Sequence, residues 1–413
     1  MTDLLVGIDP HRRTNTAQMM DDHGQLLGQA FQFANNRPGA EAFIQEVTAQ
    51  METDDYQTLC IATEATGWYW FHFFQKLSQD PLLNRNPLEL YAINPRLTAK
   101  FKETFNEPDK SDPIDAFVVA DRLRLGRDLP PAFQGADAYL ALRLLTRYRF
   151  WVIHHLAKEK AYCQSILYLK YSEYTLKHKR PFADIFGAAS RAVIEEFASI
   201  EDIAALPFDD LVEFIDAKGK RRFANPQHTA QKLQQVIASS YLLPEILQQP
   251  VNDILHLSLQ HIAFLQRQQK RLNTAIARQL TTIPNTLQTI PGIGPVFAAG
   301  IIAEIGNLRR FEDDEAKVAK YAGFKWRQST SGDTRSEYTP LTKKRNRFLR
   351  YYFCEAANLV RQREREYTAY YERKFHEVTK HQHKRALVLT ARKLVRLVVR
   401  LLATNQPFQS RRR

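Results

Sequence analysis

Leu4-Leu5-Val6-Gly7-Ile8-Asp9 is a short run of apolar and small residues that ends on a carboxylate. Such a run, bounded by a polar residue, reads as a buried strand. An acid directly after it lies at a strand end, where ligands gather in α/β sheets. Thr58–Thr63 repeats the pattern and ends on Glu64, and Leu88–Ile93 supplies a further strand. Gln25–Phe33 follows the turn Asp22-His23-Gly24, so residues 4–33 are expected to form a two-stranded hairpin. Helical spacing marks Gly39–Met51, the aromatic-rich Trp68–Leu77, and Asp112–Leu125 with apolar Ile114, Phe117, Val118 and Leu123. The alternation predicts an α/β domain over residues 1–127.

Residues 128–136 read as a linker. One long helix without Pro or Gly is predicted from Asp137 to about Lys179, and a second from about Pro250 to Thr281. Between them, residues 181–245 carry breaks at Pro181, Gly187, Pro207, Gly219 and Pro226 and read as short helices. Two readings of the spacer at 136–284 stay open. It is an antiparallel coiled-coil arm with an insert at 181–245, or two buried helices of one bundle. From Thr289 the chain reads as helical, apart from the Gly-, Ser-, Thr- and Asp-rich Lys317–Arg347. The fold class is thus α/β followed by all-α, with a second helical domain at 285–405 and a basic tail at 406–413.

The 413 residues carry 58 Lys+Arg against 45 Asp+Glu, a net charge of +13. The excess is not spread evenly. Residues 341–413 hold 20 basic and 5 acidic residues, whereas the first 130 hold 12 and 19. A basic end points to an anionic partner, nucleic acid before membrane surface. Three distant cysteines, Cys60, Cys163 and Cys354, exclude a disulfide scaffold and suit a reducing cytoplasm. No apolar run approaches membrane-spanning length, and the first residues lack a signal peptide's pattern.

Four carboxylates form the first chemical constellation: Asp9, Glu64, Asp112 and Asp115. The last two are three residues apart on a helix and share a face. Hard cations such as Mg²⁺ take carboxylate oxygens together with water and phosphate, and paired ions stabilise phosphoryl transfer. The bland alternative makes Asp112 a helix cap and Asp115 a first-turn acid. The turn Ile290-Pro291-Gly292-Ile293-Gly294-Pro295 opens a helix. It offers backbone N–H groups to a phosphate, or is simply a tight turn that lets two helices pack closely. Ser329, Ser331 and Ser336 lie in a polar loop before the cluster Thr342-Lys343-Lys344-Arg345-Asn346-Arg347. A hydroxyl there is a nucleophile only if a base or metal activates it. Basic residues interleave with Phe348, Tyr351, Tyr352, Phe353, Tyr367, Tyr370 and Tyr371, a pattern suited to phosphates and stacked bases. Ala391–Leu402 is an amphipathic basic helix, for which a membrane-surface role is the competing use. His11, His154, His155, His376, His381 and His383 form no convincing ligand set in sequence and read as surface or packing residues. Phosphate loops of the GxxxxGK[ST] type, HExxH and CxxC are missing.

Val6-Gly7-Ile8-Asp9, Ala62-Thr63-Glu64-Ala65-Thr66-Gly67, Asn94-Pro95 and Lys110-Ser111-Asp112-Pro113-Ile114-Asp115-Ala116 together resemble the DEDD catalytic domain of one family of insertion-sequence transposases, which includes the Piv-type DNA invertases. Ile290–Pro295, Phe311, Tyr321-Ala322-Gly323, Ser331-Gly332, Thr342-Lys343, Asn346, Leu349-Arg350 and Ala391-Arg392-Lys393-Leu394 are similar to its C-terminal half, in the same order. The resemblance covers about 1–127 and 285–405. It implies a RuvC-like, RNase H-type N-terminal domain whose Asp9, Glu64, Asp112 and Asp115 bind Mg²⁺, with Mn²⁺ as a substitute. It implies a C-terminal domain with a helix-hairpin-helix-like motif whose serine attacks a DNA phosphodiester and becomes linked to it. Counting from Gly323 as in the family places that serine at Ser331. A structured noncoding guide (bridge) RNA, donor and target DNA, and homodimers pairing into homotetramers are the implied partners. The acids of one protomer would then face the serine of another. Gly292, Gly294, Arg335, Lys343, Lys344, Arg347 and Arg350 are the expected nucleic-acid contacts. The chain departs from the family at Arg345, where Gly is usual before Asn, at Pro10-His11, and in its long insert. Two other functions remain compatible with the residues: a RuvC-like nuclease that uses metal-activated water, and a non-catalytic nucleic-acid-binding protein.

Overall fold

A computed structural model describes residues 3–410, except 54–55, 106–110, 128, 131, 136, 327–329, 332–333, 336–340 and 343–344. The chain divides at Asp137 into two compact units.

The first unit is a mixed sheet between helical layers. Its elements are β1 (Asp3–Pro10), β2 (Thr14–Asp21), β3 (Leu26–Ala34), α1 (Arg37–Thr53), β4 (Thr58–Glu64), α2 (Phe71–Ser78), β5 (Leu88–Ile93), α3 (Pro95–Lys102) and α4 (Asp112–Arg124). The sheet order is β3-β2-β1-β4-β5. β1 runs antiparallel to β2 and parallel to β4, and β4 runs parallel to β5. One face carries Leu4, Val6 and Ile8, which pack with Phe33, Phe43, Phe73 and Phe74. The other carries Leu5, Cys60, Ala62 and Ile93 against Val119 and Leu123 of α4.

The expected hairpin over 4–33 is corrected by β2, which lies between the two predicted strands and pairs with both. Its sequence, Thr-Asn-Thr-Ala-Gln-Met-Met-Asp, lacks the apolar alternation of a half-buried strand. Asn15, Thr16 and Gln18 are nevertheless buried. Gln18 is satisfied through the carbonyls of Met19 and Gly28.

Gly7 determines how closely α4 approaches. A Cβ at this residue would stand 2.2 Å from both the Ala116 carbonyl oxygen and the Ala120 nitrogen. Only a residue without a side chain lets helix backbone rest on strand backbone. The first turn of α4 is thereby brought beside the C-terminal end of β1.

The second unit is helical. It comprises α5 (Ala138–Lys170), α6 (Ala188–Glu196), α7 (Ile200–Ala204), α8 (Phe208–Lys218), α9 (Pro226–Ser239), α10 (Glu245–Leu280), α11 (Pro295–Ile305), α12 (Glu315–Tyr321), the short strands β6 (Thr330–Ser331) and β7 (Thr334–Arg335), α13 (Arg347–Val360), α14 (Arg365–His376) and α15 (Gln382–Thr404). The two long helices α5 and α10 run antiparallel. Arg149 Nε donates to Asn273 Oδ1 at 2.7 Å, and Ser258 Oγ donates to Glu159 Oε1 at 2.6 Å.

α5 ends at Lys170, nine residues before the predicted end. Beyond it the chain turns, and Tyr171 and Tyr174 enter the core of the insert. Lys170 is 3% exposed and donates to the carbonyls of Ile194 and Phe197, and burial pushes its ammonium down to about 8. A buried cation thus binds the end of α5 to the carbonyl end of α6. α10 begins before its predicted start and carries Pro250 inside it. The C-terminal half of α5 and the N-terminal half of α10 share one core with the insert. Their other ends, through Leu142, Ile276 and Leu280, join the core of residues 283–401.

Candidate functional site

Parallel pairing of β1 with β4 sets Ile8 beside Thr63, so Asp9 and Glu64 emerge at one end of the sheet. Asp112 and Asp115 occupy the first turn of α4, which Gly7 admits to the same end. Ser111 is the N-cap residue of α4, so Asp112 is not the cap that the bland reading required.

The electrostatics of Asp9 report the crowding. Burial pushes its carboxyl up to about 6; His11 opposes this, and Asp115, Asp112 and Glu64 each add to it. Asp9 therefore senses each of the other three acids. The arrangement accumulates negative charge that a bound cation would neutralise.

Neighbouring groups orient the acids. Thr66 Oγ1 donates to Glu64 Oε1 at 2.7 Å and Thr98 Oγ1 to Glu64 Oε2 at 2.6 Å. Lys102 Nζ lies 2.5 Å from Asp115 Oδ1. Thr98 and Lys102 both belong to α3, which Asn94 caps by accepting from the Arg96 N–H at 3.0 Å. The Asn94-Pro95 pair thus starts the helix that holds two of the four acids.

His11, expected to be a surface or packing residue, stands inside this group. Its Nε2 is 3.2 Å from Asp9 Oδ2 and 3.4 Å from Asp112 Oδ1. One donor atom from each of Asp9, His11 and Asp112 falls within 4.8 Å of the others, a grouping able to hold a metal ion. The signal was its place two residues after a strand-end acid. As one of several unclustered histidines in the sequence, it did not stand out.

In the second unit, Ser331 lies in a small hairpin. Ser331 pairs with Thr334 and Thr330 with Arg335, and a bridge between Trp326 and Leu341 continues the pairing. The serine's backbone is therefore in a strand that precedes the Gly332-Asp333 pair. The rival hydroxyls Ser329 and Ser336, and the cations Lys343 and Lys344, lie outside the described residues, as does the tip of the basic tail at 411–413.

A buried polar network anchors both stems of this segment. Glu304 of α11 is 1% exposed and receives Arg147 Nε at 2.7 Å and Nη2 at 2.8 Å. Asn346 Nδ2 donates to Glu304 Oε2 at 2.7 Å and to the Tyr321 hydroxyl at 3.0 Å. The Asn346 side-chain oxygen caps α13 through the N–H groups of Phe348 and Leu349. Arg147→Ala is expected to cost about 3 kcal/mol in urea unfolding, because it removes the ion-pair partner of a buried carboxylate.

The expected nucleic-acid contacts divide. Gly292, with φ +98°, has a packing role: a Cβ there would stand 2.8–2.9 Å from the Leu359–Val360 backbone. This favours the tight-turn reading at that glycine. Gly294, the N-cap of α11, faces open space. Arg350 donates to the Gly323 carbonyl at 2.8 Å and lies over the Phe324 ring, an internal role. Arg347 stacks on Phe150 and Phe348. Arg335 is placed by its backbone in β7.

Residues 6–171 match a family model described as transposase, the DEDD type of IS110, and residues 285–372 match a second, described as transposase of the IS116/IS110/IS902 family. The chain carries two IS110-family transposase domains. It is a DNA transposase or recombinase of an insertion sequence, and its substrates are DNA. The matched N-terminal domain and its five-stranded mixed sheet are consistent with a RuvC-like fold. No curated protein matches the chain significantly. Among the described residues, no helix is long and apolar enough to cross a membrane.

Proposed function

We propose that this transposase is an RNA-guided recombinase that cuts and rejoins DNA through a covalent phosphoserine intermediate, with Ser331 as nucleophile. The observation that carries the reading is the convergence of Asp9, Glu64, Asp112 and Asp115 at one end of the sheet, with Asp9 held at an elevated pKa by burial and by the other three. These acids would hold a divalent cation, Mg²⁺ or Mn²⁺, a reading supported by the close grouping of Asp9 and Asp112 with His11. When bound, the ion supplies charge stabilisation at a phosphate and favours ionised oxygen nucleophiles. Thr66 and Thr98 fix the Glu64 carboxylate, and Lys102 holds Asp115.

Ser331 Oγ would attack phosphorus, form the phosphoserine bond, lose its proton, and release a DNA hydroxyl as the P–O bond breaks. The linkage conserves the bond energy for rejoining, so no ATP is consumed. The missing nucleotide-binding loop is in keeping with this. Gly294, Arg335, Lys343, Lys344 and Arg347 are the proposed contacts to nucleic acid, here the guide RNA with donor and target DNA. A homodimer that pairs into a tetramer completes the reading. On α5, Leu144, Tyr148, Trp151, Tyr162 and Leu169 are each about half exposed at heptad-related spacing, which supports self-association.

The test is adduct trapping with guide RNA and DNA present. Wild type should give a protein–DNA band on denaturing gels, and Ser331→Ala should give none. An adduct that persists in Ser331→Ala refutes the serine assignment. One observation favours a second reading: the acidic site is built entirely within the first unit, as a RuvC-like nuclease acting through water requires. DNA cleavage that survives in Ser331→Ala without any adduct would support it.

A further inference from the structure

We propose that His11 is a metal ligand of the acidic site, so that an imidazole nitrogen joins Asp9 and Asp112 and the chain prefers Mn²⁺ to Mg²⁺. The inference rests on the metal-site reading above and goes beyond it by naming a residue outside the four acids.

Octahedral ions with ligands at about 2.1–2.2 Å set neighbouring ligand atoms about 3 Å apart. His11 Nε2 stands 3.2 Å from Asp9 Oδ2 and 3.4 Å from Asp112 Oδ1. These separations are close to those of adjacent corners of one coordination sphere, and the three donor atoms all lie within 4.8 Å of one another.

The backbone of His11 is also held on both sides. Its N–H donates to the Thr14 carbonyl at 3.0 Å across the β1–β2 turn. Its carbonyl receives Asn35 Nδ2 at 2.8 Å, and the same amide nitrogen binds the Tyr69 carbonyl at 3.0 Å. The imidazole therefore leaves a fixed point beside the acids. Its other face is open, with about half of the side chain exposed, so a bound ion remains within reach of a DNA phosphate and water.

Chemistry supplies the preference. Mg²⁺ is a hard ion that favours oxygen donors, whereas imidazole nitrogen strengthens binding of first-row transition ions. Exchanging one oxygen ligand for nitrogen shifts the site toward Mn²⁺.

The experiment uses full-length protein and metal alone. Mn²⁺ binding is followed by electron paramagnetic resonance, and Mg²⁺ binding by competition against it. Wild type is expected to bind Mn²⁺ with nitrogen-14 modulation of the electron spin echo. In His11→Gln the modulation should vanish and Mn²⁺ affinity fall by about tenfold, with a smaller loss for Mg²⁺. Asp9→Asn should weaken both ions, and far-UV circular dichroism should match wild type for both variants. An unchanged Mn²⁺/Mg²⁺ ratio in His11→Gln overturns the proposal. Tighter binding of both ions also overturns it, because His11 would then be a cation competing with the metal. Absence of Mn²⁺ binding in wild type, or binding indifferent to Asp9→Asn, overturns the metal site itself along with it.

Discussion

Asp9→Asn is expected to stabilise the metal-free protein while abolishing recombination. Burial and the surrounding carboxylates raise Asp9 from 3.8 to about 6. The folded protein therefore holds a proton that the unfolded chain has released across that interval. Stability falls as pH rises through the window, and the penalty is complete above it. A shift of about two units corresponds to about 3 kcal/mol. The side chain keeps 17% exposure and an attractive partner in His11, so the expected gain is about 1–2 kcal/mol at neutral pH. Urea unfolding in chelator should show the variant and wild type converging near pH 4 and separating toward pH 7. Activity should move in the opposite direction. Losing a carboxylate from the site removes several kcal/mol of charge stabilisation, or about a thousandfold or more in strand exchange. Undiminished recombination in this variant would exclude Asp9 from the chemistry.

Gly7→Ala is expected to be strongly destabilising to the first unit and to disturb the acidic site with it. The new carbon would stand 2.2 Å from two backbone atoms of α4, and backbone cannot rotate away as a side chain does. Overpacking of this kind costs about 3 kcal/mol, and more where the neighbour is rigid. The helix must retreat, and Asp112 and Asp115 retreat with it. Thermal unfolding should fall by several degrees, and Mn²⁺ affinity should drop even in molecules that remain folded. Wild-type stability in Gly7→Ala would mean that the strand and helix are not in the tight contact described.

Much of the first unit could be read from residues. β4, β5 and α4 coincide with the predicted runs to within a residue, because each is a plain apolar pattern bounded by a turn or a charge. β2 was hidden because its buried Asn15, Thr16 and Gln18 look like loop residues; neighbours on the sheet, not composition, bury them. The four acids were legible as strand-end and first-turn carboxylates. His11 was not, since only the β1–β2 turn brings its ring between Asp9 and Asp112. In the second unit, Arg350 and Gly292 read as nucleic-acid contacts by charge and by motif. Their roles inside the fold depend on Gly323, Phe324 and the Leu359 backbone, which are distant in sequence.

The parallel pairing of β1 with β4 has a consequence for timing. The two strands are separated by about fifty residues, and the acids on α4 come another fifty later. Closing such loops is slower than forming local structure. On the ribosome, a chain that has emerged only as far as β3 carries Asp9 and His11 but neither Glu64 nor the α4 acids. The complete acidic cluster arises only once α4 has emerged and docked. A product truncated before α4 therefore lacks Asp112 and Asp115, and with them the complete acidic cluster.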